Sequence, residues 1–180
     1  MRILPEKSIA MVVDYQTRLV PAMGNIDTLI HNSSVLLKGL NILEIPMIIT
    51  QQYTKGLGET VPEILDAAGD HPVFDKITFS CHQNEAIKAA LKASGKTTVI
   101  VCGIEAHVCV LQTVIDLLED GYQVVLVEDC IDSRKASDKA NALIRARQEG
   151  AVITSYEAIL FELTQIAGTE RFKQISKLVK

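Results

Sequence analysis

This sequence lacks the features that mark several common classes of protein. It has no run of basic residues and carries a net charge of −4 over 180 residues, so nucleic acid and anionic membrane surfaces are poor candidate partners. No apolar run approaches the roughly 20 residues that a membrane-spanning helix needs. No P-loop or HExxH motif is present, and Gly56-Leu57-Gly58 lacks the third glycine of a dinucleotide site. We therefore expect neither nucleic acid nor a membrane among its partners.

The cysteines also lack the spacing of zinc-binding or redox motifs, since they stand far apart at positions 81, 102, 109 and 130. The first ten residues, MRILPEKSIA, place Pro5, Glu6 and Lys7 where a signal peptide would have its apolar core. We therefore expect a cytoplasmic protein whose thiols are free, because disulfides are rare in a reducing compartment. One or more of these thiols is then available for chemistry.

Apolar residues make up 48% of the chain, and short strand patterns alternate with helical ones. This alternation predicts a three-layer α/β fold with a mostly parallel, six-stranded, Rossmann-like sheet of order 3-2-1-4-5-6. Residues 1–180 are predicted to form one domain, because no linker or repeat interrupts the pattern. The predicted strands cover residues 8–13, 46–50, 77–79, 97–101, 123–128 and 151–154. Loops or turns are predicted at residues 51–59, 69–80 and 129–134, except for the strand at 77–79.

Cys109 occupies a position that suits a nucleophile. The β-branched run at residues 97–101 predicts a buried strand, Gly103 interrupts it, and a helical pattern begins near Ala106. Cys109 would then lie in the first turn of a helix, where unpaired N–H groups and the helix dipole favour a thiolate. The alternative is a buried cysteine that acts only as a small apolar side chain.

Asp14 follows the first predicted strand, which is the expected neighbour of the strand before Cys109. Ligands of such sheets bind beyond the carboxyl ends of the strands where the strand order reverses, so Asp14 and Cys109 should face one crevice. Asp14 could be a general base, a metal ligand or a helix cap. Lys76 could be a solvated surface lysine, but beside a thiol it would lower the thiol pKa. His107 could line the crevice or cap the helix.

Five segments, in the same order along the chain, resemble the isochorismatase-like cysteine hydrolases. Asp14-Tyr15-Gln16 resembles the family's Asp-x-Gln start, and Lys76 before Phe79-Ser80 resembles its Lys-x-x-Phe-Ser segment. Residues 103–110, GIEAHVCV, resemble its cysteine motif. Residues 128–134 and 150–155 resemble its later segments. The resemblance covers nearly the whole chain.

The resemblance implies a catalytic triad of Asp14, Lys76 and Cys109. It also implies a cis peptide before Glu105 and an oxyanion hole made by the backbone N–H groups of Glu105 and Cys109. Family members commonly assemble as dimers or larger, so a homo-oligomer acting on a small molecule is expected. The residues expected to line the substrate pocket are Tyr15, Gln16, Gln51, Phe79 and His107.

One departure from the family pattern bears on metal binding. Nicotinamidases of this family carry an Asp-x-His metal motif after the second strand, whereas this sequence has Gln51-Gln52-Tyr53 there. We therefore expect no bound metal and no cofactor, and nicotinamide is doubtful as the substrate.

These features together predict a cofactor-independent cysteine hydrolase that cleaves a small amide. Cys109 would attack as a thiolate of lowered pKa, which would make it the most reactive of the four thiols, while Asp14 transfers protons and Lys76 stabilises the thiolate. One alternative is an isochorismatase-type vinyl-ether hydrolase, although that reaction needs no thiol. Another is a non-catalytic binding or scaffold protein that keeps the fold.

Overall fold

A single parallel sheet of six strands lies at the centre of the computed structural model, which describes residues 2–180. Its strands lie in the order β3-β2-β1-β4-β5-β6, and every neighbouring pair is parallel. The predicted fold class and strand order are therefore confirmed. The strands are β1 (Ser8–Val13), β2 (Met47–Gln52), β3 (Val73–Lys76), β4 (Thr98–Ile104), β5 (Gln123–Asp132) and β6 (Val152–Thr154).

Helices cover both faces of the sheet, and they divide the apolar core into two clusters. One face carries α1, α3, α7 and α8, and the other carries α4, α5 and α6. Neighbouring residues of a strand point to opposite faces, so Val12 packs in the first cluster and Met11 in the second. The helices are α1 (Ile26–Ile42), α2 (Thr54–Leu57), α3 (Pro62–Ala68), α4 (Glu85–Ala93), α5 (Leu111–Glu119), α6 (Ala136–Glu149), α7 (Tyr156–Thr164) and α8 (Glu170–Leu178).

The third strand lies earlier in the chain than the sequence predicts. Residues 77–79 were expected to form it, but β3 spans Val73–Lys76. β3 is an edge strand with mostly exposed side chains, so its sequence has no strong apolar pattern. The apolar residues Ile77 and Phe79 suggested a buried strand, but both lie on the surface after β3. Lys76 is consequently the last residue of a strand and not part of an irregular segment.

Two predicted loops are shorter than expected. The loop at residues 51–59 begins inside β2, which ends at Gln52, and it contains α2. The turn at residues 129–134 begins inside β5, which continues to Asp132 through a shift of register against β4. In both β2 and β5, the last part of the strand contains polar residues but still pairs with a neighbouring strand. The apolar pattern therefore ends before the strand does, and the sequence predicts strands that are too short. Within residues 2–180, no helix is long and apolar enough to cross a membrane.

Gly103 allows β4 to lie close against β1. It has φ of 148°, and a Cβ added there would lie 2.8 Å from the Cα of Val13 and press on the carbonyl oxygen of that residue. We predict that Gly103→Ala lowers the free energy of unfolding by at least about 2 kcal/mol, through backbone strain and overpacking. Denaturant unfolding measures this loss.

Gly24→Ala is the matched control, because its added Cβ would approach no atom closer than 3.8 Å. Its effect should stay within about 1 kcal/mol. Equal unfolding free energies for the Gly103 variant and the control would contradict the close approach of β1 and β4.

Candidate active site

A buried ion pair joins Asp14 and Lys76 at the carboxyl edge of the sheet. Asp14 immediately follows β1, and Lys76 ends β3, so the two residues approach each other across β2. The Lys76 Nζ lies 2.6 Å from the Asp14 Oδ2, and both side chains are 0% exposed. An unpaired charge is costly to bury, so each of these two residues depends on the other.

The Lys76 ammonium is fully hydrogen-bonded. Besides Asp14, it donates to the Gln52 Oε1 at 2.7 Å and to the carbonyl oxygens of Phe79 at 3.0 Å and Thr78 at 3.3 Å. Burial by itself would lower the pKa of Lys76, but interactions with the anionic forms of Cys81, Asp14 and Cys109 raise it overall. The lysine is therefore a permanent positive charge in this site.

The Asp14 carboxylate receives a second hydrogen bond from the neighbouring strand. The Thr50 Oγ1 on β2 donates to the Asp14 Oδ1 at 2.8 Å. Both carboxylate oxygens are thus oriented by protein donors. Asp14 itself adopts φ of 56°, in the left-handed region that non-glycine residues seldom occupy. This turn directs the backbone away from the sheet directly after β1.

Cys109 lies in a short π-helical turn, Ala106–Val110, between β4 and α5. Such wide turns are rare and are frequently found at functional sites. The carbonyl oxygen of Cys109 accepts a hydrogen bond from the Thr113 Oγ1 at 2.7 Å, which fixes the turn against α5. The residue is 5% exposed, whereas the other three cysteines are 0% exposed. Cys109 is therefore the least buried of the four cysteines.

The expected lowering of the Cys109 pKa is wrong for the resting site. Burial raises the pKa of this thiol most, and the negative charge of Asp14 raises it further. Lys76 acts in the opposite direction, as expected, but it does not offset the effects of burial and of Asp14. The helix position and the lysine do not overcome desolvation. Cys109 is therefore a protonated thiol beside a carboxylate.

The cis peptide expected before Glu105 is not found, because the structure has no cis peptide bond within residues 2–180. The chain turns instead through Glu105 itself, which has φ of 56° and ψ of 61°. Its carboxylate is buried, with the Arg134 Nε 2.9 Å from Oε1 and the His107 Nδ1 3.4 Å from Oε2. Since Val13 pairs with Gly103, Asp14 follows β1 beside Ile104, one residue before Glu105.

The five expected pocket residues fall into two groups. Tyr15, Gln16 and Gln51 bond to the protein interior: the Tyr15 hydroxyl contacts the Ser33 Oγ at 2.7 Å, and the Gln51 Oε1 accepts from the Thr60 N–H at 3.1 Å. Phe79 and His107 reach the surface, where the His107 Nδ1 lies 3.0 Å from the Ser133 Oγ. The first group supports the backbone around the site, and the second borders it.

Sequence reasoning missed Thr50 and Gln52. Residues two apart on a strand share a face, and these two side chains contact Asp14 and Lys76 respectively. Two polar residues at the end of a buried strand were the available signal. For a metal, the described residues contain no cluster of three or more histidine, cysteine or carboxylate side chains that could hold one.

The sequence matches the family model described as the isochorismatase domain over residues 8–158. Among individual proteins, it is 40% identical to the secreted isochorismatase effector Isc1 of Phytophthora sojae, over 99% of this chain and 87% of that protein. The match therefore spans the whole of the site described above.

Solved structures share the fold. The structure of the MAR1 ribonuclease from Caenorhabditis elegans has a TM-score of 0.93 and 39% identity, and the match covers 99% of this chain and 92% of that one. The ycaC gene product from Escherichia coli, described as an octameric hydrolase of unknown specificity, has a TM-score of 0.88 and 25% identity over 92% of this chain and 83% of that one.

Alkylation tests the state of the Cys109 thiol. We predict that iodoacetamide modifies Cys109 before the other three cysteines, because it is the least buried of the four. The rate should keep rising through about pH 9, since the thiolate fraction below a raised pKa grows roughly tenfold per pH unit. Peptide mass spectrometry between about pH 6 and pH 10 gives this rate. A rate that levels off near neutral pH would contradict the raised pKa, and earlier labelling of Cys81 would contradict the difference in access.

Proposed function

The chain belongs to the isochorismatase family of hydrolases, and on that premise we propose that it cleaves the C–N bond of a small amide through a thioester on Cys109, without a cofactor. One observation carries this proposal: the buried Asp14–Lys76 ion pair lies close enough to Cys109, the least buried of the four cysteines, to change the pKa of its thiol. A thiol next to a fixed carboxylate is the arrangement that nucleophilic acyl transfer needs.

In the first half of this reaction, Cys109 attacks the amide carbonyl while its proton moves to Asp14. The sulfur–carbon bond forms, and the carbonyl oxygen becomes an oxyanion that we assign to the backbone N–H groups of Glu105 and Cys109. One such donor typically contributes about 3–4 kcal/mol to transition-state stabilisation. The oxyanion then collapses and the C–N bond breaks while Asp14 gives its proton to the leaving amine, so the thioester remains on Cys109.

In the second half, water hydrolyses the thioester. Asp14, again a carboxylate, takes a proton from the water as its oxygen attacks the thioester carbonyl. The tetrahedral intermediate then expels the Cys109 sulfur, which recovers its proton from Asp14, and the carboxylic acid leaves. Lys76 keeps its proton throughout; its charge orients Asp14 and offsets the negative charge that passes between carboxylate and sulfur.

The rival activity is hydrolysis of a vinyl ether such as isochorismate. The 40% identity to a protein named as an isochorismatase effector favours it. That reaction needs proton transfer but no nucleophilic sulfur, so a thiol beside Asp14 would have no task in it. An RNA substrate, suggested by the name of the Caenorhabditis elegans relative, fits poorly with a net charge of −4.

A substrate panel with trapping separates these activities. We predict that small amides are hydrolysed, and that rapid quenching followed by mass spectrometry finds an acyl adduct on Cys109. Cys109→Ala should lose both turnover and adduct, because the sulfur forms the intermediate. If isochorismate or RNA were consumed and Cys109→Ala kept full activity, the amidase mechanism would be wrong; if neither were consumed and no adduct formed, the scaffold alternative would gain.

Opposite charge variants test the roles of Lys76 and Asp14. Lys76→Met should slow alkylation of Cys109 at pH 8, because the ammonium lowers the pKa of the thiol. Asp14→Asn should speed the same alkylation, since it removes a charge that raises this pKa, yet it should abolish amide hydrolysis because no base remains. Rates from mass spectrometry, with circular dichroism for folding, make the comparison.

The double variant Asp14→Asn/Lys76→Met is the control for burial of an unpaired charge. Each single variant leaves one ion without its partner, at a typical cost of about 3–5 kcal/mol, whereas the double variant leaves none. Alkylation rates that fall in both single variants would indicate general disruption of the site and would contradict the assigned roles.

We further propose that the chain acts as a single domain, as a homo-oligomer and in the cytoplasm. The octameric relative supports assembly, as do the exposed apolar side chains of Tyr53, Ile77 and Phe79 around Lys76. The four free cysteines suit a reducing compartment, although the Phytophthora sojae relative is named as secreted.

A further inference from the structure

Gln52 has no part in the chemistry proposed above, although its side chain contacts the triad directly. Its Oε1 accepts a hydrogen bond from the Lys76 Nζ at 2.7 Å, and its Nε2 donates to the carbonyl oxygen of Ile77 at 2.8 Å. The residue is 8% exposed. The orientation of the amide is dictated by these partners, because the flipped amide would set an NH₂ against an ammonium and an oxygen against a carbonyl.

The backbone of Gln52 is held on both sides. The Gln16 side chain forms two hydrogen bonds with it, accepting from its N–H at 2.7 Å and donating to its carbonyl oxygen at 2.9 Å. In this way Gln16 continues the strand pairing of β1 and β2 past the end of β1. On the other side, the N–H of Tyr53 donates to the carbonyl oxygen of Lys76 at 2.9 Å. Gln52 therefore reaches Lys76 from a rigid position.

The contact of Gln52 with Lys76 is with a neutral amide, whereas that of Asp14 is with a charged carboxylate. An ammonium has three protons to donate, and around Lys76 they meet one carboxylate, one side-chain amide and backbone carbonyls. The amide satisfies a proton without adding a negative charge. Asp14 thus remains the one carboxylate bonded to Lys76. The titratable groups that interact with the ammonium are Asp14 after β1, Cys81 after β3 and Cys109 in the π-helical turn.

We propose that Gln52 is a positioning residue, which holds the Lys76 ammonium against Asp14 as an uncharged acceptor and so sets the pH range in which Cys109 reacts. The inference rests on the proposed function, because it assigns Gln52 a role through Lys76 in activating the thiol. A role in stability alone would leave the pH dependence of Cys109 unchanged.

Two substitutions at this position separate the hydrogen bond from the charge. Gln52→Met has a similar length but no acceptor, so Lys76 loses one of its fixed partners and is held less firmly near Cys109. Gln52→Glu keeps both size and acceptor but adds a negative charge, which disfavours a thiolate nearby. Both variants should shift the pH profile of Cys109 alkylation upward by half to one unit, or about three- to tenfold in rate at fixed pH.

The measurement is the rate of iodoacetamide labelling of Cys109 on the intact chain as a function of pH, with thermal unfolding in parallel. Gln123→Met is the matched control, since Gln123 begins β5 at the amino end of the strands, far from Lys76, and its side chain accepts a hydrogen bond from the Thr98 Oγ1. It should leave the labelling profile unchanged. Should Gln52→Met lose its fold, Gln52→Asn, which keeps the amide but is one methylene too short to reach Lys76, removes the contact in its place.

Measuring Lys76→Met in the same experiment distinguishes the positioning role of Gln52 from the proposed amidase mechanism. Slower labelling in Lys76→Met and in both Gln52 variants supports the positioning role. Slower labelling in Lys76→Met with unchanged profiles in the Gln52 variants would overturn the positioning role and leave the proposed function standing. An unchanged rate in Lys76→Met would overturn both, because the lysine would then have no influence on the thiol.

Discussion

The buried ion pair between Asp14 and Lys76 is the constraint on which the carboxyl edge of this sheet depends. Two charges with no solvent exposure are unfavourable unless their remaining hydrogen-bonding capacity is satisfied. Thr50 and Gln52 supply those bonds from β2, which lies between the strands that carry the pair. A shift of one residue in β1 or β3 would move the charged side chains to the opposite face. The register of three strands is thus tied to one interaction.

The same pair changes how a cysteine in this position can react. The beginning of a helix favours a thiolate, but Cys109 lies beside a carboxylate and in a largely apolar setting, and both raise its pKa. In the proposed reaction, Cys109 would therefore pass its proton to Asp14 during attack and would not act as a stable anion. Lys76 lowers the pKa of the thiol, but by less than burial and Asp14 raise it.

The sequence was sufficient where apolar patterns are long and local. The strands β1 and β4 are continuous buried runs, and they predicted both the fold class and the placement of Asp14 near Cys109. The edge strand β3 carried no such pattern, so Lys76 entered the candidate site through the family resemblance and its strand was misplaced. The contacts of Gln52 with Lys76 and Gln16 join residues 24 and 36 positions apart. No local pattern predicts pairings of this kind, because they depend on the register of neighbouring strands.

The ion pair between Asp14 and Lys76 would also lower the energetic cost of moving a proton within the site. In the proposed reaction, the proton of Cys109 would move to Asp14 and the negative charge from oxygen to sulfur while Lys76 stays positive, so the net charge of the buried site would not change. A change in net charge would require desolvation of a new ion, which costs several kcal/mol in a protein interior. Transfer within the site avoids that cost and needs only that Lys76 remain close to both anions. Because four acceptors hold Lys76 and one of them is Asp14, the lysine can stabilise either anion without moving.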